Sequence, residues 1–166
     1  MDSLNDDILR RAAGYAQVRE RRLDRRLGFG KDGTVWDSDR STAVKVFRTP
    51  EPFRREAAAY RRLTERSVLD VLGFRVPQLL NVDDRLMVIE MTIVRPPFVL
   101  DFGSAYLDGA APRFPEDIME EWLADKQEEF GDRWQQAASV IRAFERLGIQ
   151  LTDIHPGNIA FQETPK

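Results

Sequence analysis

Cysteine is absent from the sequence, and His155 is the only histidine. Without cysteine the chain can form no disulfide, no thiolate metal site and no cysteine nucleophile, and a single histidine argues against a zinc site. Long apolar runs are lacking too, since none approaches the roughly 20 residues that span a bilayer. Residues 1–11 carry three aspartates and no apolar core of a signal peptide. We therefore expect a cytoplasmic protein with no membrane span.

A surplus of one charge is also lacking. The chain has 25 basic and 28 acidic residues among 166, mixed along most of its length, for a net charge of −3. No sustained field favours nucleic acid or a membrane surface, so we expect neither as a partner. One local exception is a cluster of arginines, which is either a solvated helix face or a site for a phosphate-rich partner. The cluster comprises Arg21, Arg22, Arg25 and Arg26, preceded by Arg10 and Arg11.

The spacing of apolar residues predicts one α+β domain over residues 1–166. It predicts a charged helix over residues 4–26, a hairpin of strands 34–36 and 42–47 around the turn 37–40, and a helix beginning near Pro52. Two strands follow at 76–80 and 86–91, then a short strand at 98–100. Residues 115–147 are mainly helical with a break at Gly131, and two strand-like pieces flank the polar loop 153–158. The predicted buried stripe of the helical segment is Ile118, Trp122, Trp134, Ala138, Ile141, Phe144 and Leu147.

Residues 28–35 fit the pattern G-x-G-x-x-G-x-V. Glycine at Gly28, Gly30 and Gly33 lets a backbone lie close over phosphates, because no Cβ interferes. In dinucleotide-binding proteins this glycine pattern opens a helix. Here Val35 and the β-rich residues after it continue as a strand, so the phosphate-covering loop of kinases fits better.

Lys45 is embedded in an apolar strand just after this glycine segment. A lysine between two valines can simply face solvent on an alternating strand. An ammonium at this place can instead bind nucleotide phosphates if a carboxylate on the next helix holds it. Glu56 lies on that helix, whereas Glu51 precedes it and Glu65 lies near its end.

The segment D-I-H-P-G-N-I begins at Asp153 and places Asn158 five positions after the aspartate. This spacing is the D-x-x-x-x-N of kinase catalytic loops, in which the aspartate accepts the proton of the substrate hydroxyl and the asparagine binds magnesium. His155 lies within the loop, and we interpret it as a structural residue rather than a catalytic one.

With these three motifs in order, the sequence resembles the protein-kinase-like superfamily. Its D-I-H-P-G-N is similar to the D-x-H-P-G-N of aminoglycoside and choline phosphotransferases and related atypical kinases. The resemblance implies two lobes, with a five-stranded antiparallel N-lobe over residues 27–92 and a reduced, mainly helical C-lobe over residues 93–166. It also implies a hinge at Glu90 and Thr92 that receives adenine.

The roles that the resemblance implies are those of an ATP- and magnesium-dependent enzyme. Lys45 would hold phosphates, Glu56 would orient Lys45, and Asp153 would be the base. Gly28, Gly30 and Gly33 would cover the phosphates, and Asn158 would bind magnesium. The phosphate acceptor would be a hydroxyl of a small molecule or a protein.

Two positions depart from the family pattern. Leu151 replaces the usual histidine of the catalytic loop, and no D-F-G follows Asn158 within the sequence. A D-F-G does occur earlier, at Asp101, after the strand-like Phe98-Val99-Leu100. We hypothesise that this segment folds back beside the catalytic loop, so that Asp101 supplies the metal carboxylate. Alternatively, the match is fortuitous and Asp101 caps a turn or contacts a ribose.

Three functions stay open at this stage. The first is phosphoryl transfer from ATP to a hydroxyl, the second is a nucleotide-binding pseudokinase acting as a scaffold or regulator, and the third is a helical adaptor that binds no nucleotide. A reduced C-lobe would also expose apolar surface around Trp122, Phe130 and Trp134, which a homodimer would cover.

Overall fold

The structure is a computed structural model that describes residues 3–163. Within these residues it contains four α-helices and eleven strands. The helices are α1 (Ser3–Val18), α2 (Pro50–Glu65), α3 (Glu116–Phe130) and α4 (Trp134–Arg146), with a 3₁₀ turn at Gly131–Arg133. The strands are β1 (Leu23–Phe29), β2 (Gly33–Ser38), β3 (Thr42–Phe47), β4 (Asp70–Val71), β5 (Phe74–Arg75), β6 (Leu79–Asp83), β7 (Val88–Thr92), β8 (Phe98–Val99), β9 (Tyr106–Leu107), β10 (Ile149–Gln150) and β11 (Ile159–Ala160).

The N-terminal part is a five-stranded antiparallel sheet in the order β1-β2-β3-β7-β6. Strands β2 and β3 form the predicted hairpin, with Val35 opposite Lys45. Together with the helices, this sheet confirms the α+β class that the sequence predicts. Strands β6 and β7 begin two or three residues later than predicted, and α2 begins at Pro50 rather than Pro52.

The two faces of the sheet are covered by different helices. Val44 and Val46 of β3 are fully buried against α1, in a cluster with Ile8, Ala12 and Tyr15. Ala43 and Phe47, which point to the opposite face because side chains alternate along a strand, belong to the cluster that includes α2. Lys45 shares this second face, so its side chain is directed toward α2.

The predicted helix over residues 4–26 is wrong beyond Val18. The chain reverses at Glu20, which has a φ of 52°, and continues as β1. Arg22 accepts a backbone hydrogen bond from Asp39 at 2.9 Å, and Leu23 pairs with Ser38 of β2. Arginine is a good helix former, but after Val18 the apolar spacing that docks a helix stops, and pairing with β2 determines the structure.

The C-terminal part contains α3, α4 and two small sheets, β9–β10 and β11-β8-β5-β4. The predicted break at Gly131 is confirmed, since this residue ends α3 with a φ of 55°. The predicted burial of Ile118 is wrong, because its side chain is 45% exposed on the first half of α3. Within the described residues, the structure has no helix long and apolar enough to cross a membrane.

Candidate active site

Lys45 is held by two carboxylates from different parts of the chain. Its Nζ donates to Glu56 Oε2 at 2.6 Å and to Asp101 Oδ1 at 3.1 Å. The side chains of Lys45 and Glu56 are 9% and 1% exposed, whereas that of Asp101 is 33% exposed. The ammonium is therefore buried on the α2 side and open to the cleft on the Asp101 side.

The helix α2 presents Glu56 to Lys45 on its buried face. Phe53, Ala57 and Tyr60 lie on the same face and pack into the core. The rival Glu51 pairs with Arg55 on the exposed side of the helix, and Glu65 is exposed at the last residue of α2. Neither rival bonds to Lys45, so the structure brings Glu56 to the lysine.

The carboxylates and the ammonium perturb one another. Burial raises the pKa of Glu56 to about 7, although the nearby Lys45 lowers it, and the charge of Asp101 raises it further. Burial tends to lower the pKa of Lys45, but the attraction of Glu56 and Asp101 outweighs burial and raises it. Lys45 therefore stays charged. Two carboxylates contact this one ammonium, so when both are ionised one negative charge of the cluster is not compensated within it.

The D-F-G segment lies beside the loop that begins at Asp153. Strand β8 runs antiparallel to β11, with Val99 opposite Ile159, and Leu100 donates its N–H to the carbonyl of Asn158 at 3.0 Å. Phe102 anchors the segment in the core, with ring centroids 5.2 Å from Tyr60 and 5.7 Å from Phe144. Asp101 follows β8 with a φ of 69°, and this bend turns the chain at the point where its carboxylate meets Lys45.

The loop 153–158 is held together by its own hydrogen bonds. Asn158 is 6% exposed, and its Nδ2 donates a hydrogen bond to the backbone carbonyl of Asp153 at 3.0 Å. Its Oδ1 is therefore the side-chain atom that is free to bind a cation. His155 accepts the N–H of Gly157 at Nδ1 over 3.1 Å. The Asp153 side chain is 52% exposed. The loop is thus rigid at Asn158 and open at Asp153.

A cavity of about 600 Å³ connects these groups. Its walls combine the glycine segment, Lys45, Leu100, Asp101 and Asp153. A much smaller space of about 10 Å³ lies between Asp101, Asp153 and Asn158. The structure therefore brings Lys45, Asp101 and Asp153 to one cleft, with Asn158 directly behind it.

The three glycines of the segment 28–35 are not equivalent. A Cβ added at Gly28 or Gly30 would meet no atom within 4 Å. A Cβ at Gly33 would lie 2.2 Å from the carbonyl oxygen of Val46. Gly33 is therefore required by the close approach of β2 to β3, whereas Gly28 and Gly30 leave open space beside the cleft.

Glu90 and Thr92 do not direct their side chains to this cavity. Glu90 is 1% exposed on the sheet face covered by α1, where it accepts hydrogen bonds from Tyr15 at 2.6 Å, Thr42 at 2.7 Å and Arg21 at 3.1 Å. Thr92 Oγ1 accepts the N–H of Gln78 at 2.8 Å. Only the backbone of this segment is left for adenine, and that role stays a prediction.

The Glu90 cluster was not anticipated from the sequence. Burial raises the pKa of Glu90, but the hydrogen bonds from Tyr15, Thr42 and Arg21 outweigh burial and lower it. Burial, together with the bond to Glu90, raises the pKa of Tyr15 to about 12. Two features of the sequence could have indicated it. Tyr15 lies at helical spacing from the apolar residues of α1, and Glu90 is the one glutamate in the mostly apolar segment of β7, where a buried carboxylate needs a hydrogen-bond partner.

The cavity suits a phosphate-bearing ligand and a hard cation. Lys45 supplies a fixed positive charge, the carboxylate of Asp101 and the amide oxygen of Asn158 are ligand types that Mg²⁺ prefers, and Gly28 and Gly30 leave space for phosphate oxygens. Among residues 3–163 there is no group of three His, Asp or Glu side chains able to hold a metal alone. A cation at this place would therefore also need oxygens from the phosphates or from water.

No family model matches the chain, and no curated protein matches it in sequence. Among solved structures, the chain is similar to the protein in the streptomycin–ATP–APH(2″)-IIa ternary complex, with 15% sequence identity and a TM-score of 0.42. The similarity covers 80% of this chain, which spans only 39% of the other. At this distance the functional interpretation depends on the geometry of the cleft.

Proposed function

We propose that the protein is a kinase-like phosphotransferase that moves the γ-phosphate of ATP to a hydroxyl, within a single two-lobed domain. The observation that carries the proposal is the position of Lys45. Its ammonium contacts Glu56 and Asp101 on the wall of the cavity that Asp153 also lines. A buried lysine held by a helix carboxylate, in a cleft that a loop aspartate also lines, is the arrangement of protein-kinase active sites.

The nucleotide would enter the cavity with its phosphates toward Lys45. Glu56 fixes the ammonium so that it does not have to be ordered when phosphate binds. Gly28 and Gly30 would allow the loop backbone to approach the phosphates, whereas Gly33 shapes the turn. Adenine would lie against the backbone of residues 90–92, since the side chains of Glu90 and Thr92 are engaged elsewhere.

Magnesium would be held by Asp101 and by Oδ1 of Asn158, together with phosphate oxygens. When bound, it neutralises charge on the phosphates. The pairing of β8 with β11 supports this assignment, because it brings Asp101 to the same edge as Asn158. The aspartate of the D-F-G segment would then bind magnesium, as it does in protein kinases, but from a position before the loop 153–158 in the chain.

Asp153 would act as the base. Its half-exposed carboxylate takes the proton of the acceptor hydroxyl as the hydroxyl oxygen bonds to the γ-phosphorus. The bond between the γ-phosphorus and the β–γ bridging oxygen breaks, and ADP leaves with that electron pair. The acceptor approaches from the open side of Asp153, and we expect a small molecule or a protein hydroxyl.

The experiment separates binding from transfer. Calorimetry with ATP and magnesium is compared for the wild type, Lys45→Ala and Asp153→Asn, and ³²P transfer from γ-labelled ATP is followed with small hydroxyl acceptors and with the protein itself. We expect Lys45→Ala to lose binding, and Asp153→Asn to keep binding but lose transfer. Asp125→Asn, an exposed acid on α3, is the matched control.

Each alternative predicts a different result. Magnesium-dependent ATP binding without transfer to any acceptor would indicate the pseudokinase. No ATP binding by the folded wild-type protein would overturn the proposal and leave the adaptor.

The homodimer also stays a prediction. Phe130 is buried and Trp122 and Trp134 are half-buried, so the surface available to a second copy is the first half of α3, where Ile118, Met119 and Leu123 are at least 40% exposed. Sedimentation of the wild type and Leu123→Lys tests it, since a dimer through α3 would dissociate in the variant. We also retain the prediction of a cytoplasmic location, which fractionation of the source cells would test.

A further inference from the structure

Asp32 is an acidic residue inside the glycine segment. The segment is closed by a hydrogen bond from the N–H of Gly30 to the carbonyl of Gly33 at 3.0 Å, and the carbonyl of Asp32 accepts the N–H of Arg48 at 2.8 Å. The turn is thus closed on Gly33, the first residue of β2, and bonded to Arg48, the residue after β3. The backbone of Asp32 is therefore fixed, and its side chain lines the cavity.

The carboxylate of Asp32 lies against the D-F-G segment. A Cβ built at Gly103 would be 2.5 Å from Asp32 Oδ2 and 3.4 Å from Glu56 Oε2. The two carboxylates therefore approach the same point on the backbone of Gly103. At this separation the charge of Asp32 contributes to raising the pKa of Glu56, after the larger effects of burial and of Asp101.

No local role accounts for this placement. Within residues 3–163 the carboxylate of Asp32 forms neither a hydrogen bond nor an ion pair, so it caps no turn. Its position inside a loop of otherwise neutral or basic residues points to an interaction with the ligand of the cleft.

The charges around the cavity are unequal. The lining residues include three carboxylates, those of Asp32, Asp101 and Asp153, and two ammonium groups, those of Lys31 and Lys45. The guanidinium of Arg48 lies outside the lining and donates its Nε to the carbonyl of Gly30 at 3.3 Å. A free triphosphate would meet Lys45, but also the repulsion of Asp32 and Asp101 at short range. A divalent cation on the phosphates removes most of this repulsion.

We infer that Asp32 is a specificity-determining residue that makes this cleft select the cation-bound form of a nucleoside triphosphate over the free form. The inference depends on the proposed function, because it concerns the same ligand. Asp32 acts by charge from the glycine segment and is not assigned as a metal ligand.

The test is calorimetry of ATP binding, once with excess EDTA and once with magnesium, which gives a ratio of the two affinities for each protein. For Asp32→Asn we expect metal-free affinity to rise about tenfold and affinity with magnesium to change less than about threefold, so that the ratio falls. Gly103→Ala serves as a second variant, because its methyl group displaces the flexible carboxylate of Asp32, and we expect a smaller fall of the same sign.

Two controls match the change in charge. Asp84→Asn removes one exposed acid at the turn after β6 and should leave the ratio unchanged. Lys31→Gln removes the opposite charge from the same loop and should weaken metal-free binding. Thermal unfolding of each variant establishes that it is folded.

The outcomes separate the two proposals. An unchanged ratio in Asp32→Asn overturns the inference and leaves the proposed function intact. A loss of magnesium-bound affinity with unchanged metal-free affinity also overturns it, since Asp32 would then act as a metal ligand. If the wild type binds ATP under neither condition, the proposed function fails and the inference fails with it.

Discussion

Leu100 donates its backbone N–H to the carbonyl of Asn158 over 3.0 Å. This bond extends the pairing of β8 with β11 and brings the residue before Asp101 next to the end of the loop 153–158. The D-F-G aspartate and the loop asparagine are thus neighbours in space although α3 and α4 separate them in the chain. The hypothesis of a relocated metal aspartate required this proximity, and its chemical role can be tested directly.

Asp101→Asn should weaken cation binding while leaving the protein folded. The side chain is 33% exposed and shares Lys45 with Glu56, so the variant keeps the buried Lys45–Glu56 pair. We expect Mn²⁺ affinity in the presence of ADP, measured by electron paramagnetic resonance, to fall at least tenfold, as is usual for changes around a metal site. Unchanged Mn²⁺ affinity would rule out the metal role of Asp101.

Lys45→Met should be more destabilising at high pH than at low pH. The variant leaves Glu56 buried without its cation, which costs about 3–5 kcal/mol when the carboxylate is charged. With Lys45 present the folded-state pKa of Glu56 is about 7, above its ordinary 4.5, and Lys45 is one of the groups that lower it. In the variant the pKa of Glu56 therefore lies higher still. Because a raised pKa stabilises the fold below the ordinary value and loses this contribution as the pH rises through the folded-state pKa, the stability of the variant keeps falling at pH values above 7, where that of the wild type levels off.

Urea unfolding near pH 8 and near pH 5.5 measures the difference for Lys45→Met. The double variant Lys45→Met with Glu56→Gln is the control, and its free energy of unfolding should depend less on pH. A loss of equal size at both pH values would contradict the predicted pH dependence of the variant.

Gly33→Ala and Gly30→Ala should differ in stability. The methyl group at Gly33 would overlap the carbonyl of Val46, and separating β2 from β3 should cost about 2–3 kcal/mol. The methyl group at Gly30 meets nothing within 4 Å, so we expect a change below about 1 kcal/mol. Thermal unfolding compares them, and equal melting temperatures would show that the β2–β3 approach is not tight at Gly33.

Glu90→Gln should reduce the loss of stability in acid. The pKa of Glu90 is lowered in the folded state, so its charged form stabilises the fold above the ordinary pKa of 4.5, and this contribution is lost as the pH falls below that value. The neutral variant should be less stable than the wild type by about 1–3 kcal/mol near pH 7. In urea unfolding the stabilities of the two proteins should approach each other as the pH falls below 4.5, and parallel curves would contradict the prediction.

The hairpin, the Lys45 strand and the helix break at Gly131 were predictable because local patterns determine them. Alternation along β3 leaves Lys45 facing either solvent or the next helix, and Glu56 is favoured because the sequence predicts Glu51 before that helix and Glu65 near its end. The structure places Glu51 inside α2, in its first turn, where it is exposed.

Features that depend on distant pairing were harder to predict. The arginines of β1 have good helix propensity, and their extended conformation depends on pairing with β2, where Arg26 lies opposite Trp36. The proximity of Asp32 to Gly103 and of Tyr15 to Glu90 requires knowing which elements pack together. The D-F-G letters allow the hypothesis that Asp101 lies beside Asn158. The order of the motifs argues against this hypothesis, because D-F-G comes before Asn158 in the chain and not after it.

The pairing of β8 with β11 also affects how this cleft can assemble during folding. A tight turn could join these two strands at little entropic cost, whereas here the closing loop contains α3, α4 and the small β9–β10 sheet. Closing this longer loop costs more conformational entropy, and that cost comes before the pairing of the two strands offsets it, so prior packing of the intervening helices favours closure. The cleft should therefore form late, after the helices have packed, and a ligand that stabilises it would report on the folding of the entire C-terminal half.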